Sequence, residues 1–274
     1  MAASEIDLAA VKRNQQQMWG TGNYAEIGSR ILLVSELLCE AVDLSGGERV
    51  LDVACGTGNT ALAAARRFAD VTGVDYQDRL LDQARARSTV EGFDIDFREG
   101  DAEALPVDDD SFDVVLSSCG VMFAPDQRRA AQELVRVCSP GGRIGMVNWT
   151  PDSWVARLGK VVAQYTPPPA GVASPVLWGD RDHVASLLGD AVELSTQHRT
   201  FSFRFRSAED HAAVFCREYP PIVAALGRLD DDQAAALRSD VAALAHEMNV
   251  SRGGDLVLPL DYLEVVARVR DGGI

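Results

Sequence analysis

Lysine is almost missing from the 274-residue chain: Lys12 and Lys160 are the only two, and the remaining cations are arginines scattered along the sequence. Set against 41 Asp and Glu, the 26 Lys and Arg leave a formal net charge of −15. A field of that sign repels phosphate polymers and anionic headgroups, and no basic stripe reverses it locally. Neither nucleic acid nor a membrane is therefore an expected partner. No apolar run reaches the roughly 18 to 20 residues that span a bilayer, and the start MAASEIDLAAVKRNQQQ lacks the apolar stretch of a secretory signal. The five cysteines (Cys39, Cys55, Cys119, Cys138, Cys216) are odd in number and widely spaced, with neither a C-x-x-C pair nor a Cys/His cluster at zinc spacing. They read as reduced thiols of a cytoplasmic protein, and no metal is expected. What remains is ordinary globular material, 47% hydrophobic and 24% charged, enough for one large domain or two small ones.

Ser4-Glu5-Ile6-Asp7 fits a capping box, which predicts a helix running to about Trp19 before the Gly20-Thr21-Gly22-Asn23 break. Ile27, Ile31, Val34, Leu38 and Ala41 recur at steps of three or four and predict a second helix over 25–43. Short β-branched runs then alternate with helical stretches. Strands are expected at 49–54, 71–75, 94–99, 112–118 and 143–149, with helices at 60–68, 78–88 and 126–138. Strand and helix in succession mean a parallel sheet covered on both faces, and right-handed crossovers make it doubly wound. After a helix at 154–165, Pro167-Pro168-Pro169-Ala170-Gly171 stops the pattern. A one-sided strand at 199–205 alternates Phe201, Phe203 and Phe205 with polar residues, and 262–270 is its candidate partner. Two Ala-rich helices over 207–229 and 230–249 are too long to serve only as a connection, and read as a helical lid. The whole of 1–274 is read as one domain: N-terminal helices over 1–45, a ligand-binding core over 46–150, and the remaining strands and lid over 151–274.

The segment Val50-Leu51-Asp52-Val53-Ala54-Cys55-Gly56-Thr57-Gly58-Asn59 is a buried strand opening through small residues into a helix. Glycines let a ligand approach the backbone, and the helix start offers free N–H groups. Gly56-x-Gly58-x-x-Ala61 also satisfies the dinucleotide fingerprint, with Asp75 nineteen residues past Gly56 where a ribose-binding acid belongs. Asp52 weighs against a dinucleotide. It lies beside the loop where a pyrophosphate would sit, and two like charges about 4 Å apart cost roughly 4 kcal/mol at an effective dielectric near 20. A cationic ligand reverses that sign, with Asp52 accepting from its ammonium; capping of the loop's own N–H groups is the plainer role. A third acid, Asp101, follows the third strand, where it can accept from an adenine amino group while the Ala102 N–H donates to a ring nitrogen. The three acids then line successive strand ends, the edge at which such sheets bind ligands.

Together Leu51-Asp-Val-Ala-Cys-Gly-Thr-Gly58, Val74-Asp75, Gly100-Asp-Ala-Glu-Ala-Leu-Pro106, Ser111-Phe-Asp-Val-Val115 and Ser139-Pro-Gly-Gly142 resemble the motifs of class I S-adenosylmethionine-dependent methyltransferases. The likeness is greatest to the subgroup that includes quinone-biosynthesis enzymes and many small-molecule methyltransferases. It implies an α/β Rossmann-like fold with a mostly parallel seven-stranded sheet, whose last, antiparallel strand would come from 262–270. It further implies S-adenosyl-L-methionine as cofactor. Asp52 and the loop from Ala54 through Gly56 to Gly58 would hold the methionine end, and Asp75 the ribose. Tyr76 would pack beside the adenine, Asp101 and Ala102 would hold it, and Ser118 would face the methionine portion. Where the family usually has Gly, this chain has Ala54, which narrows the room for ligand approach.

Methyl transfer is an in-line displacement, so holding the acceptor near the methyl carbon in a dry cavity is the protein's main task. Met18, Trp19 and Tyr24, with Cys119-Gly-Val-Met-Phe123 after the fourth strand, are candidates for an acceptor pocket covered by the lid. The expected acceptor is a small apolar or aromatic molecule. Of the four histidines, His183, His198, His211 and His246, only His211 lies near Phe215, Glu218 and Tyr219 on a lid helix, which makes it the candidate base. Two other readings compete: a nicotinamide-dependent oxidoreductase, from the fingerprint, and a catalytically silent cofactor-binding protein.

Overall fold

The computed structural model describes residues 7–271. Of the capping box expected at Ser4–Asp7, the first three residues lie outside that range. Asp7 itself is the N-cap of α1 (Leu8–Trp19), its carboxylate accepting from the Ala10 N–H at 2.9 Å. The apolar stripe expected as one helix is broken: α2 (Tyr24–Gly28) passes through a 3₁₀ turn at Ser29–Ile31 into α3 (Leu32–Ala41). The step-of-three-or-four spacing survives the break because a 3₁₀ turn keeps i and i+3 on one side. Ile27, Ile31, Val34 and Leu38 are accordingly all buried.

Next come β1 (Arg49–Val53), α4 (Asn59–Ala65), β2 (Asp70–Asp75), α5 (Asp78–Glu91), β3 (Asp96–Glu99) and β4 (Phe112–Ser118). After them follow α6 (Gln127–Val137), β5 (Cys138–Trp149) and α7 (Trp154–Tyr165). β1 through β4 are within a few residues of their expected spans, whereas β5 begins five residues earlier. A short helix, α8 (Arg181–Leu188), was not expected from the sequence; Asp180 caps it by accepting from the His183 N–H at 2.8 Å. Two long strands, β6 (Val192–Phe205) and β7 (Leu256–Val269), flank α9 (Ala208–Glu218), α10 (Pro220–Leu226) and α11 (Asp231–Met248). The helix expected over 207–229 is two, because Pro220 and Pro221 cannot continue the hydrogen bonding of α9 and instead begin a new first turn.

All seven strands join one sheet in the order β3-β2-β1-β4-β5-β7-β6. β1 through β5 pair in parallel, and β7 runs antiparallel to both β5 and β6. The sheet is thus α/β and mostly parallel, as expected, with β7 as its antiparallel member. The expected pairing of 199–205 with 262–270 is shifted: Arg199 faces Tyr262 and Phe205 faces Leu256, so the Phe-rich half of β6 lies against 256–262. Central β1 and β4 are buried along most of their length because helices cover both their faces. The order reverses beside β1, where β2 leaves to one side and β4 to the other. That divergence opens a crevice beyond the strand ends.

Candidate active site

An open cavity of about 930 Å³ fills this crevice, and Asp52, Ala54, Gly56, Asp75, Tyr76, Asp101, Ala102 and Ser118 all contribute to its wall. Gly58, the ninth expected ligand-binding residue, lies one step behind the wall as the N-cap of α4, at φ 80°. The fold therefore gathers residues spread over 52–118 of the sequence into one site.

Asp52 is 1% exposed, and one carboxylate oxygen accepts from the Ala61 N–H at 2.8 Å, in the first turn of α4. The plainer role, capping, is therefore present alongside exposure to the cavity. Burial pushes its carboxyl up to about 8 against the pull of that N–H, and the neighbouring Asp75 adds to the rise. The charge that weighed against a dinucleotide is thus largely suppressed near neutral pH in the ligand-free site. Asp75 spends one oxygen on the Gly56 N–H at 2.8 Å and the other on the Gln77 N–H at 2.9 Å; burial raises it to about 6. It fixes the glycine loop while keeping a lone pair on each oxygen for a ligand.

Ala54 and Cys119 end β1 and β4 with φ of 54° and 55°, a region costly for residues bearing a Cβ. The two loops press together here: a Cβ on Gly120 would come within 2.5 Å of the Ala54 carbonyl. Gly56, at φ 53°, faces open space, with nothing within 4 Å of a Cβ placed there. This is the close backbone approach the loop's composition implied. On the opposite wall, the Ser118 hydroxyl is buried and has no hydrogen-bond partner among the described residues. A buried polar atom left unpaired is costly, so this hydroxyl is available to a hydrogen-bonding group in the crevice.

Asp101 is less free than its sequence position suggested. One oxygen accepts from the Glu103 N–H at 2.9 Å, and the other receives Lys12 from α1. Lys12 also meets Glu103, and these two carboxylates outweigh the desolvation that would lower its ammonium, so its pKa is raised. Gln16 donates to the Tyr76 carbonyl at 2.5 Å, and Gln77 donates to the Gln16 carbonyl at 2.7 Å. α1 is thereby fastened across both strand-end turns. Sequence reading missed this, since contacts from residue 12 to 101 carry no local signal. Also missed was Glu133, 2% exposed, which accepts from the Leu105 N–H at 2.8 Å and holds the turn that presents Asp101 and Ala102.

A second cavity, about 380 Å³, shares Trp19, Tyr24, Ile31, Cys119 and Phe123 with the first. Eight of its twelve wall residues are aromatic, adding Trp149, Trp154, Phe203, Phe215 and Tyr219 to those shared; no wall residue is charged. Trp19, Tyr24, Cys119 and Phe123 were foreseen as a pocket, whereas Met18 lies outside both walls and Met122 is wholly buried. His211 is not brought to either wall. It is fully buried, stacked on Phe215 at 4.3 Å and edge-on to Trp154 and Phe205, with neither ring nitrogen hydrogen-bonded among the described residues. Burial lowers it to about 3, so it stays neutral inside an aromatic cluster. His183 meets Gln127, and His246 pairs with Glu209 at the surface.

A crevice at the switch point with a glycine loop under Asp75 defines a ligand-binding site of the doubly wound α/β class, and the ring-lined chamber adjoins it. A family model described as a methyltransferase domain matches residues 51–146. An uncharacterized protein of Mycobacterium tuberculosis is 36% identical over 273 residues, covering 98% of each chain. A demethylmenaquinone methyltransferase of Clavibacter sepedonicus is 34% identical over 178 residues, 59% of this chain and 72% of that one. Among solved structures, the YcgJ protein of Bacillus subtilis superposes with a TM-score of 0.59 at 20% identity, over 87% of this chain and 98% of that one, a likeness of fold alone. The chain belongs to the methyltransferase domain family and is an S-adenosylmethionine-dependent methyltransferase. The nicotinamide reading falls with that membership.

Proposed function

We propose that this chain, acting as a single catalytic domain in the cytoplasm, transfers the methyl group of S-adenosylmethionine to a small aromatic acceptor held in the ring-lined chamber. The observation that carries the reading is the shared wall: Trp19, Tyr24, Ile31, Cys119 and Phe123 border both the crevice and the chamber. Five thiols without disulfide partners fit a reducing compartment.

In this reading, Asp52 and the Ala54–Gly58 loop hold the methionine end, Ser118 answers one of its polar groups, and Asp75 takes the ribose. Tyr76, Asp101 and Ala102 take the adenine. The cofactor supplies an electrophilic methyl on a sulfonium; the protein supplies position and dryness. The chamber's rings exclude water and bury a flat acceptor face, worth about 25 cal/mol per Å² of apolar area. With no His, Asp, Glu or Lys among the described residues of the chamber wall, the acceptor reaches the site already nucleophilic, its proton lost before it enters. The relative acting on demethylmenaquinone, by its name, accepts a fused-ring substrate, which agrees with a chamber of this character.

Calorimetric titration of S-adenosylhomocysteine, followed by labelled-methyl incorporation into phenols, quinols and amines, tests this. Cofactor binding with transfer to an aromatic member of the panel is the expected result. Failure to bind S-adenosylhomocysteine, or transfer restricted to aliphatic polar acceptors, would overturn it.

A further inference from the structure

We propose that the hydroxyls of Tyr24 and Tyr219 form a clamp that selects acceptors carrying an oxygen on the ring, namely hydroxyarenes and their phenolates. This rests on the function proposed above and names the substrate class.

Among the described residues of the chamber wall, only Tyr24 and Tyr219 carry an O–H group. Neither hydroxyl is hydrogen-bonded to a described residue, unlike that of Tyr165, which donates to Asp240 at 2.6 Å, and the two phenols lie near each other in the same wall. Both rings stand edge-on to Trp19, at 5.4 and 6.4 Å, where chamber and crevice meet. The two tyrosines come from distant parts of the chain, yet their segments are stapled together. A Cβ on Gly22 would lie 2.5 Å from the Glu218 carbonyl, so only glycine permits this approach. The Thr21 hydroxyl, which donates to the Met18 carbonyl at 2.7 Å, lies 3.3 Å from the Pro220 carbonyl, and Arg217 meets Glu26 at 3.2 Å. The pair is therefore held in place before any acceptor arrives, which limits the ordering cost of binding.

Charge favours an anionic over a cationic ring in the chamber. A sulfonium in the crevice attracts a phenolate and repels a cation. None of the described residues of the chamber wall is charged. Burial, with Cys119 close by, raises both tyrosines, so they remain protonated and able to donate.

The test measures binding of 2-naphthol, 2-methylnaphthalene and N,N,N-trimethyl-2-naphthylammonium to protein saturated with S-adenosylmethionine, after the cofactor's own dissociation constant has been measured on each sample. Wild type is expected to prefer naphthol over the methyl isostere by about tenfold or more, the scale of discrimination from hydrogen-bonding a substrate hydroxyl. Y24F and Y219F should each reduce that preference several-fold, and the double variant should abolish it while methylnaphthalene binding stays unchanged. Loss of the hydroxyl preference with hydrocarbon binding intact is a result that altered packing alone would not give. Equal wild-type affinities, no measurable naphthol binding, tighter binding of the ammonium, or an intact preference in the double variant would each overturn the clamp. Absence of cofactor binding would instead strike the proposed function beneath it.

Discussion

Asp52 sets stability and cofactor binding against each other, and the conflict can be measured. Its carboxyl rises from 3.8 to about 8 because the folded chain removes it from water. A group raised on folding favours the folded state below its unfolded pKa and opposes it as pH climbs, so stability is lost between about pH 4 and pH 8. At about 1.4 kcal/mol per pKa unit, the ceiling on that loss at pH 7 is on the order of 4 kcal/mol. Asp52→Asn keeps an oxygen for the Ala61 N–H but removes the charge. The ligand-free variant should melt several degrees higher than wild type at pH 8, with the gap closing toward pH 4, in thermal scans across that range. Cofactor binding should move the other way. An ammonium or sulfonium nearby favours the ionised carboxylate, so S-adenosylmethionine should bind with release of up to about one proton at pH 7, and its affinity should rise up to about tenfold per pH unit toward pH 8. Calorimetry in two buffers of different ionisation enthalpy reads that proton directly. D52N should release none and bind more weakly by about 1 to 3 kcal/mol. A variant that binds as tightly as wild type, or that melts no higher at pH 8, would refute the reasoning.

Three further outcomes follow from the site. Ala54→Gly relieves a left-handed alanine but loosens the unfolded chain, two opposing effects of about 1 kcal/mol each, so melting should stay within a few degrees of wild type, with cofactor affinity retained. A large loss of either would show that the Ala54 methyl has a packing role. Lys12→Met unfastens α1 from Asp101 and Glu103, and stopped-flow release of S-adenosylhomocysteine should quicken several-fold and depend less on salt; an unchanged rate would show that α1 does not retain the cofactor. His211→Phe should leave methyl transfer within about twofold. Because His211 is lowered to about 3, wild type should lose up to about 1.4 kcal/mol per unit as pH falls below 6.5, and this variant should flatten that slope in pH-dependent melts. A thousandfold drop in turnover would restore His211 as a base.

The site was legible to the extent that its residues are local in sequence. Asp52, the Ala54–Gly58 loop, Asp75 and Asp101 each sit at a strand end, and the alternation of strand and helix forces those ends to one edge of a parallel sheet. Lys12 was legible only as one of two lysines. Nothing in residues 8–19 says that its ammonium reaches residue 101, because that depends on how α1 docks. The reading of His211 shows the opposite error. A helix bearing His211, Phe215 and Tyr219 has its neighbours right, but whether a histidine faces a cavity or a stack of rings depends on how the helix is rotated against Trp154 and Phe205. The split of 207–229 is written in Pro220-Pro221, neither of which can continue the hydrogen bonding of a helix begun upstream.

By itself the sequence determined the order of strands and helices, the glycine loop and the three acids, since backbone propensity and periodicity act over a few residues. Tertiary structure alone decided which oxygens were already taken, which carboxyl was held nearly neutral, and that rings from β5, β6, α7 and α9, together with Tyr219 after α9, close one chamber beside the crevice. Burial and hydrogen-bond occupancy are set by segments far apart in the chain, and they come into being only when those segments pack.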